Sequence, residues 1–312
     1  MLNRRHIRIK VMQSIYAMHQ SGSDDLEKQE KFLQASLENI VDLYLIMLSS
    51  LVEIRKKEIE YIDIAQKKHL ATQEERNPNH RFINNPILLA LDENNSLSIA
   101  LESRKINNWS LNDDYILLLL NEIKQSELYA KYMSNRTNAF EEDKQFVVDM
   151  FTELIAPNEK LYEYLEDHKL TWIDDIPLVN TQIQKQLKQM SLKDDFKVVK
   201  LYKDEEDREF VGNLFRKTVL NEVVLAKEYI DKTPNWDADR IAEIDTIILK
   251  MAICEFLKFP SIPIKVTINE YLEIAKEYST PKSSIFINGI LDNLVKEFQA
   301  ENKIKKTGRG LM

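Results

Sequence analysis

Residues 241–257, IAEIDTIILKMAICEFL, decide how this chain is built. Ile241, Ile244, Ile248, Met251 and Ala252 fall three or four apart and run on toward Phe256 and Leu257, so one stripe of an α-helix is continuously apolar. Pro260 and Pro263 stop that helix, because neither ring donates the next backbone hydrogen bond. Ahead of it stand Asp237 and Asp239, where carboxylates favour a helix start. Beyond it, Thr267-Ile268-Asn269-Glu270 has the spacing of a capping box and predicts that the next helix begins there. Ser283 or Ser284 predicts the cap of the final helix, in which Gly289 is out of place unless another backbone packs close to it.

The same periodicity extends in both directions. Phe210, Leu214, Val219 and Val223 lead to Tyr229-Ile230-Asp231, and Thr233-Pro234-Asn235 breaks the pattern. Near the N-terminus Ile7, Val11, Ile15 and Met18 form one stripe, which Ser21-Gly22-Ser23 end. Carried back one step, that stripe reaches Arg4, so the first helix is expected to run past the edge of the core into solvent. A long second helix is expected over roughly 26–70. From 69 to 110 the pattern dissolves around Asn77-Pro78-Asn79 and Asn84-Asn85-Pro86, and an irregular excursion is expected. Helical spacing returns over 112–133, pauses at 134–138, resumes over 140–165 and continues almost to the end. With five glycines and eight prolines in 312 residues, the fold class is all-α.

One internal echo stands out. Residues 141–147, EEDKQFV, align with 205–211, EEDREFV, and the same offset of 64 pairs Phe151 with Phe215, Trp172 with Trp236, Asp175 with Asp239 and Ile183 with Ile247. A degenerate duplication and a coincidence between two acidic amphipathic helices both account for it. Trp236 reads as a core residue.

Composition removes several classes of function. Gly22, Gly212, Gly289, Gly308 and Gly310 form neither GxGxxG nor GxxxxGK, so phosphate-cradling glycine loops are absent. His6, His19, His69, His80 and His168 are scattered without an HExxH, and the one cysteine, Cys254, forms no intrachain disulfide or multi-cysteine zinc site. Cys254 reads as an inert, partly buried thiol. No metal or cofactor is expected. The longest apolar run noted, Tyr115 to Leu120, is far too short to span a membrane. The basic, acid-free N-terminus loosely resembles a transit peptide, but its cations merge into a core-patterned helix, so a cytoplasmic location is expected.

Charge supplies the functional lead. The chain carries a formal −8, yet Arg4, Arg5, Arg8 and Lys10 put +4 into the first ten residues, and Lys303, Lys305, Lys306 and Arg309 put +4 into the last ten. An acidic body with cationic ends suits a polyanion contacted locally.

At this point a family is recognisable. Residues 240–255 (RIAEIDTIILKMAICE), 262–270 (IPIKVTINE), 274–278 (IAKEY) and 286–292 (FINGILD) resemble the C-terminal half of the NusB family of bacterial transcription antitermination factors. Residues 4–16 (RRHIRIKVMQSIY) resemble its arginine-rich first helix. The resemblance implies NusB-like helical subdomains with a large helical insertion: 1–70 as N-terminal helices with the basic segment, 71–205 as the insertion and possible degenerate repeat of the unit after it, 206–300 as the C-terminal subdomain and 301–312 as a basic tail. It further implies a non-enzymatic factor that binds boxA-like single-stranded RNA with the ribosomal protein NusE in the transcription elongation complex, supports ribosomal RNA synthesis, keeps clear of membranes and occurs as monomer or homodimer. A helical accessory domain of an RNA cytosine methyltransferase system, or a protein-only scaffold, are the competing readings; the first lacks a cofactor loop here.

The residues divide accordingly. Arg4, Arg5, Arg8 and Lys10 are expected at phosphates or bases, the alternative being a solvated, frayed terminus. His6 adds charge below neutrality or is an exposed neighbour. Gln13 and Tyr16 offer a hydrogen bond and a stacking face, or Tyr16 is half-buried against Met12. Phe286 and Asn288 resemble the family's RNA-proximal junction, though Phe286 also suits a core and Asn288 a turn, and Lys282 adds a phosphate contact. Glu243 and Asp245 lie on the polar side of the 241–257 helix, which by resemblance meets NusE; otherwise they are a solvated acidic face.

Overall fold

The computed structural model describes residues 1–135, 139–230 and 241–311 and is all-α, with no strand among them. Thr233-Pro234-Asn235, Trp236, Asp237 and Asp239, on which a break, a core residue and a helix start were expected, lie outside the described residues. The chain divides into two compact units, 1–37 with 201–312, and 38–200. The division falls inside the second helix, α2 (Leu26–Gln66), not after it.

In unit one, α1 (Arg4–Ser21) starts where the Asn3 side chain accepts the His6 N–H at 3.0 Å and His6 Nδ1 accepts the Asn3 N–H at 3.4 Å. It ends where Gly22 takes φ 60°, with its N–H on the His19 carbonyl and the Ser23 N–H on that of Met18, the pairing that only a left-handed residue closes cheaply. Then come α12 (Glu205–Val219), capped by Asp204, α13 (Glu222–Ile230), α14 (Glu243–Lys258), α15 (Ile264–Tyr278) and α16 (Ser283–Ala300). The decisive stretch forms α14, which packs against α1, α12, α13, α15 and α16 and is buried on every side, as the hub of a small helical domain must be. Cys254 is fully buried within it, and burial pushes its thiol up to about 11.

Two expected caps fail for one reason. α15 begins at Ile264, a turn earlier than Thr267, because Pro263 already sets the backbone for helix entry. The Thr267 hydroxyl instead donates to the Glu255 carboxylate at 2.6 Å, and Glu270 accepts Arg5. Likewise Ser283 is the first residue of α16 and its hydroxyl donates to Asp245 at 2.7 Å. Gly289 is a third correction: a Cβ there meets nothing within 4 Å, so no backbone approach requires it. Gly289→Ala should therefore raise stability by about 0.5–1 kcal/mol in urea unfolding, through the lower entropy of the unfolded chain.

The basic tail folds back onto unit one. Thr307 N–H bonds the Pro260 carbonyl at 3.0 Å, and Lys306 Nζ reaches the carbonyls of Phe259 at 2.9 Å and Glu255 at 3.2 Å. Gly310 is obligatory, since a Cβ would lie 1.9 Å from the Pro260 oxygen. Gly310→Ala should undock the tail at a cost of about 1–3 kcal/mol and expose Lys305 and Lys306 to trypsin. Burial lowers Lys306 to about 8 despite the attraction of Glu255. The unfolded chain thus binds more protons than the folded one between about pH 8 and the ordinary lysine value, so stability should rise with pH across that window. Subtracting the curve of Lys306→Met isolates the contribution.

Unit two holds most of α2 and nine further α-helices among the described residues: α3 (Gln73–Arg76), α4 (Pro86–Asp92), α5 (Asn95–Ser103), α6 (Asn108–Leu111), α7 (Asp113–Gln125), α8 (Glu127–Ser134), α9 (Phe140–Asp149), α10 (Glu159–His168) and α11 (Ile176–Gln189). The expected excursion over 69–110 holds for 69–85, which is irregular apart from α3, but from Pro86 on the chain is mostly helical. There Asn85, Pro86 and Asn94 start helices: the Asn85 side chain accepts the N–H of Ile87 at 2.9 Å and Pro86 is the first helical residue, while Asn94 caps α5; Asn77 ends α3. By length and composition α2 alone, among the described residues, is able to cross a membrane; 78% of its most apolar window is buried inside the protein.

Candidate nucleic-acid interface

The leading cations are not frayed. Arg4 donates from Nε to Asp207 at 2.9 Å and from Nη2 to Glu206 at 2.7 Å, with its guanidinium 5.2 Å from the Phe210 ring centre. Partial burial pulls its pKa down, and the bonds to Asp207 and Glu206 outweigh that and raise it. The expected protrusion of α1 into solvent is therefore corrected: Arg4 lies against the head of α12. Arg5 makes a bidentate pair with Glu270 at 2.8 and 3.1 Å and is 39% exposed. Arg309, from the tail, reaches Glu206 at 3.2 Å and is 72% exposed.

These three arginines border one cavity of about 610 Å³, whose wall is completed by Asn3, Arg8, Glu270 and the Ser261–Pro263 turn with Val266. The two cationic ends of the chain thus converge on one place. Burial, then the neighbouring Arg5, push the pKa of His6 down, against the expectation that it adds charge.

Arg8 is a correction. Its guanidinium is 1% exposed and doubly bonded to Glu255 at 2.7 and 2.9 Å. Tyr271 O–H donates to the same carboxylate at 3.3 Å, beside the Thr267 hydroxyl. A guanidinium so enclosed holds α1, α14 and α15 together and presents no edge to a phosphate. Lys10 is buried as well, so neither side chain belongs to a surface track.

Arg8 meets Glu255 near the end of α14, whereas His19 Nδ1 meets Glu243 at its beginning, 3.0 Å away, so α1 and α14 run antiparallel. The Ser283–Asp245 bond brings the start of α16 to that second end. Lys282 is exposed there, and Asn288 is half-buried and donates to Asp292 at 3.2 Å. The sequence-predicted residues consequently form two groups about 16 Å apart along α1. Gln13 is half-buried and Tyr16 38% exposed between them.

Three further expectations are corrected or narrowed. Phe286 is buried and packs in the core, so it stacks on no base. Asp245 is buried against Ser283, and is no part of a solvated acidic face. Glu243 is half-buried and accepts His19 and Gln20. Sequence reasoning missed the carboxylates that clasp the arginines and missed Arg309 as a member of the site. The acidic triplet Glu205-Glu206-Asp207 was visible, but its pairing with Arg4 is purely tertiary.

Residues 177–296 match the sequence profile of the NusB family. Over 115 residues the chain is 44% identical to the transcription antitermination protein NusB of Salinibacter ruber, covering 36% of this chain and 71% of that protein. It is 38% identical over 109 residues to the protein of that name from Chloroherpeton thalassium and 42% identical over 100 residues to the one from Clostridium kluyveri, spanning 52% and 62% of their lengths and about a third of its own. No solved structure matches the chain. Residues 1–20 fall outside the profile match, yet α1 packs against α12, α14 and α15, three of the helices within it. A matched helical set and a relative covered over most of its length place this chain in the NusB family.

Proposed function

We propose that unit one binds boxA-like single-stranded RNA together with the ribosomal protein NusE, as a non-catalytic, cytoplasmic antitermination factor of the elongation complex that makes ribosomal RNA, acting as monomer or homodimer. The observation that carries this reading is the meeting of Arg4, Arg5 and Arg309 on one cavity. The pairs with Glu206 and Glu270 are partly exposed, and such pairs are each worth only about 0–1 kcal/mol, so phosphate oxygens exchange for those carboxylates at little cost while the buried Asp207 keeps hold of Arg4 Nε. The strand then follows α1 past Gln13 and Tyr16 toward Lys282 and Asn288, with Glu243 left toward the protein partner.

A protein-only scaffold is the second reading, favoured by the fact that Arg4, Arg5 and Arg8 all have intramolecular acidic partners. Fluorescence anisotropy against a boxA-like strand, with and without NusE and at two salt concentrations, separates the two. Salt-sensitive binding strengthened by NusE supports an RNA factor; no binding by the wild-type chain supports a scaffold.

A further inference from the structure

The 64-residue echo returns as geometry. In unit one α12 packs against α1 and α14; in unit two its counterpart α9 packs against α4 and α11. Phe215 and Phe151 are fully buried in the two settings, as are Ile247 and Ile183. At the start of α1 stand its cap Asn3 and its first residue Arg4, and Arg4 faces Glu206 and Asp207. Ahead of α4 stand Asn79 and Arg81, and Arg81 faces Glu142 and Asp143, the residues 64 positions earlier. Each arginine lies against an aromatic ring, Phe210 at 5.2 Å and Tyr132 at 4.4 Å, and each lines a cavity.

The two clasps differ in one respect. Arg4 spends its Nε and Nη2 on its carboxylates at hydrogen-bond distance. Arg81 Nη2 stays 3.6 and 3.7 Å from Asp143 and Glu142, and its Nε and Nη2 are buried with no hydrogen-bond partner among the described residues. That edge of a guanidinium is the one that takes two oxygens of a phosphate side by side. The adjoining cavity, about 810 Å³, is bordered by exposed His80 and Asn84, side chains able to hydrogen-bond or stack with an unpaired base.

We propose that unit two carries a second site for single-stranded RNA, a degenerate copy of the cavity in unit one, in which Arg81 takes a phosphate and His80 and Asn84 take the adjacent base. The proposal extends the RNA reading of unit one. Its test uses the full chain and a fluorescent single-stranded RNA bearing 4-thiouridine, with crosslinked peptides mapped. Crosslinks at 79–84 that persist in R4A/R5A and vanish in H80A/N84A, with about tenfold weaker binding of that RNA by H80A/N84A, support it. Crosslinks confined to the first α1 turns overturn it and leave the reading of unit one standing. Crosslinks confined to 79–84 uphold it and overturn that reading; none anywhere overturns both.

Discussion

Replacing Arg8 by alanine should destabilise the chain by about 3–5 kcal/mol in urea unfolding, the largest single effect expected here. The reason is what remains behind. Glu255 is fully buried on α14, and among the described residues its carboxylate is hydrogen-bonded by the Arg8 fork, the Thr267 hydroxyl and the Tyr271 phenol. Two neutral donors, each worth about 1 kcal/mol net, do not replace a bidentate guanidinium around a charge taken out of water. The same logic predicts the sign of the rescue. Arg8→Met combined with Glu255→Leu should recover part of the loss, because two apolar side chains fill the space with no charge left over. Recovery is incomplete by about 1–3 kcal/mol, since Thr267 and Tyr271 lose their acceptor. An Arg8→Ala variant within about 1 kcal/mol of wild type would mean that water reaches Glu255.

The second large effect is on binding. Arg4→Ala with Arg5→Ala should weaken the affinity for a boxA-like strand roughly hundredfold. Each charge-assisted contact with a phosphate is worth about 1.5–3 kcal/mol, less about 0–1 kcal/mol for the ion pair it displaces, and 1.4 kcal/mol is tenfold. Fold stability should fall by about 1–3 kcal/mol: the Arg4–Glu206 and Arg5–Glu270 pairs are partly exposed and contribute little, but the buried Asp207 carboxylate loses its Arg4 partner. Salt dependence supplies an independent measure. Four N-terminal cations on four phosphates correspond to a slope of log K against log salt of about −3; with Arg8 and Lys10 buried, Arg4, Arg5 and Arg309 correspond to about −2. Arg309→Ala should lower that slope by about 0.7. A double variant that binds as wild type places the RNA elsewhere on the chain.

The helical class was legible because it is written locally. Gly22 ends α1 and the apolar stripe of 241–257 forms α14, since spacing and left-handed backbone are properties of a few neighbouring residues. The failures share the opposite origin. Thr267 and Glu270 have the spacing of a cap, but their partners are Glu255 and Arg5, and nothing in four consecutive residues announces a bond across 12 or 265 positions. Asn85-Pro86 was read as punctuation because the pair that ends one helix also starts another. The cationic ends were visible as charge. That one arginine of the first turns is a core residue and another from the tail joins the site required the packing of α1 and of residues 303–311.

Unit one is discontinuous in the chain, with α1 emerging from the ribosome long before its partners α12, α14 and α15. At about 5–20 residues per second, the apolar stripe of Ile7, Val11 and Ile15 waits on the order of 10–50 s for the helices that cover it. Unit two is made entirely within that delay and is free to fold first. The nascent N-terminal segment is accordingly a natural client for a holding chaperone, and completion of unit one, the cavity beside Arg4 and Arg5 included, waits on synthesis of residues 201–312.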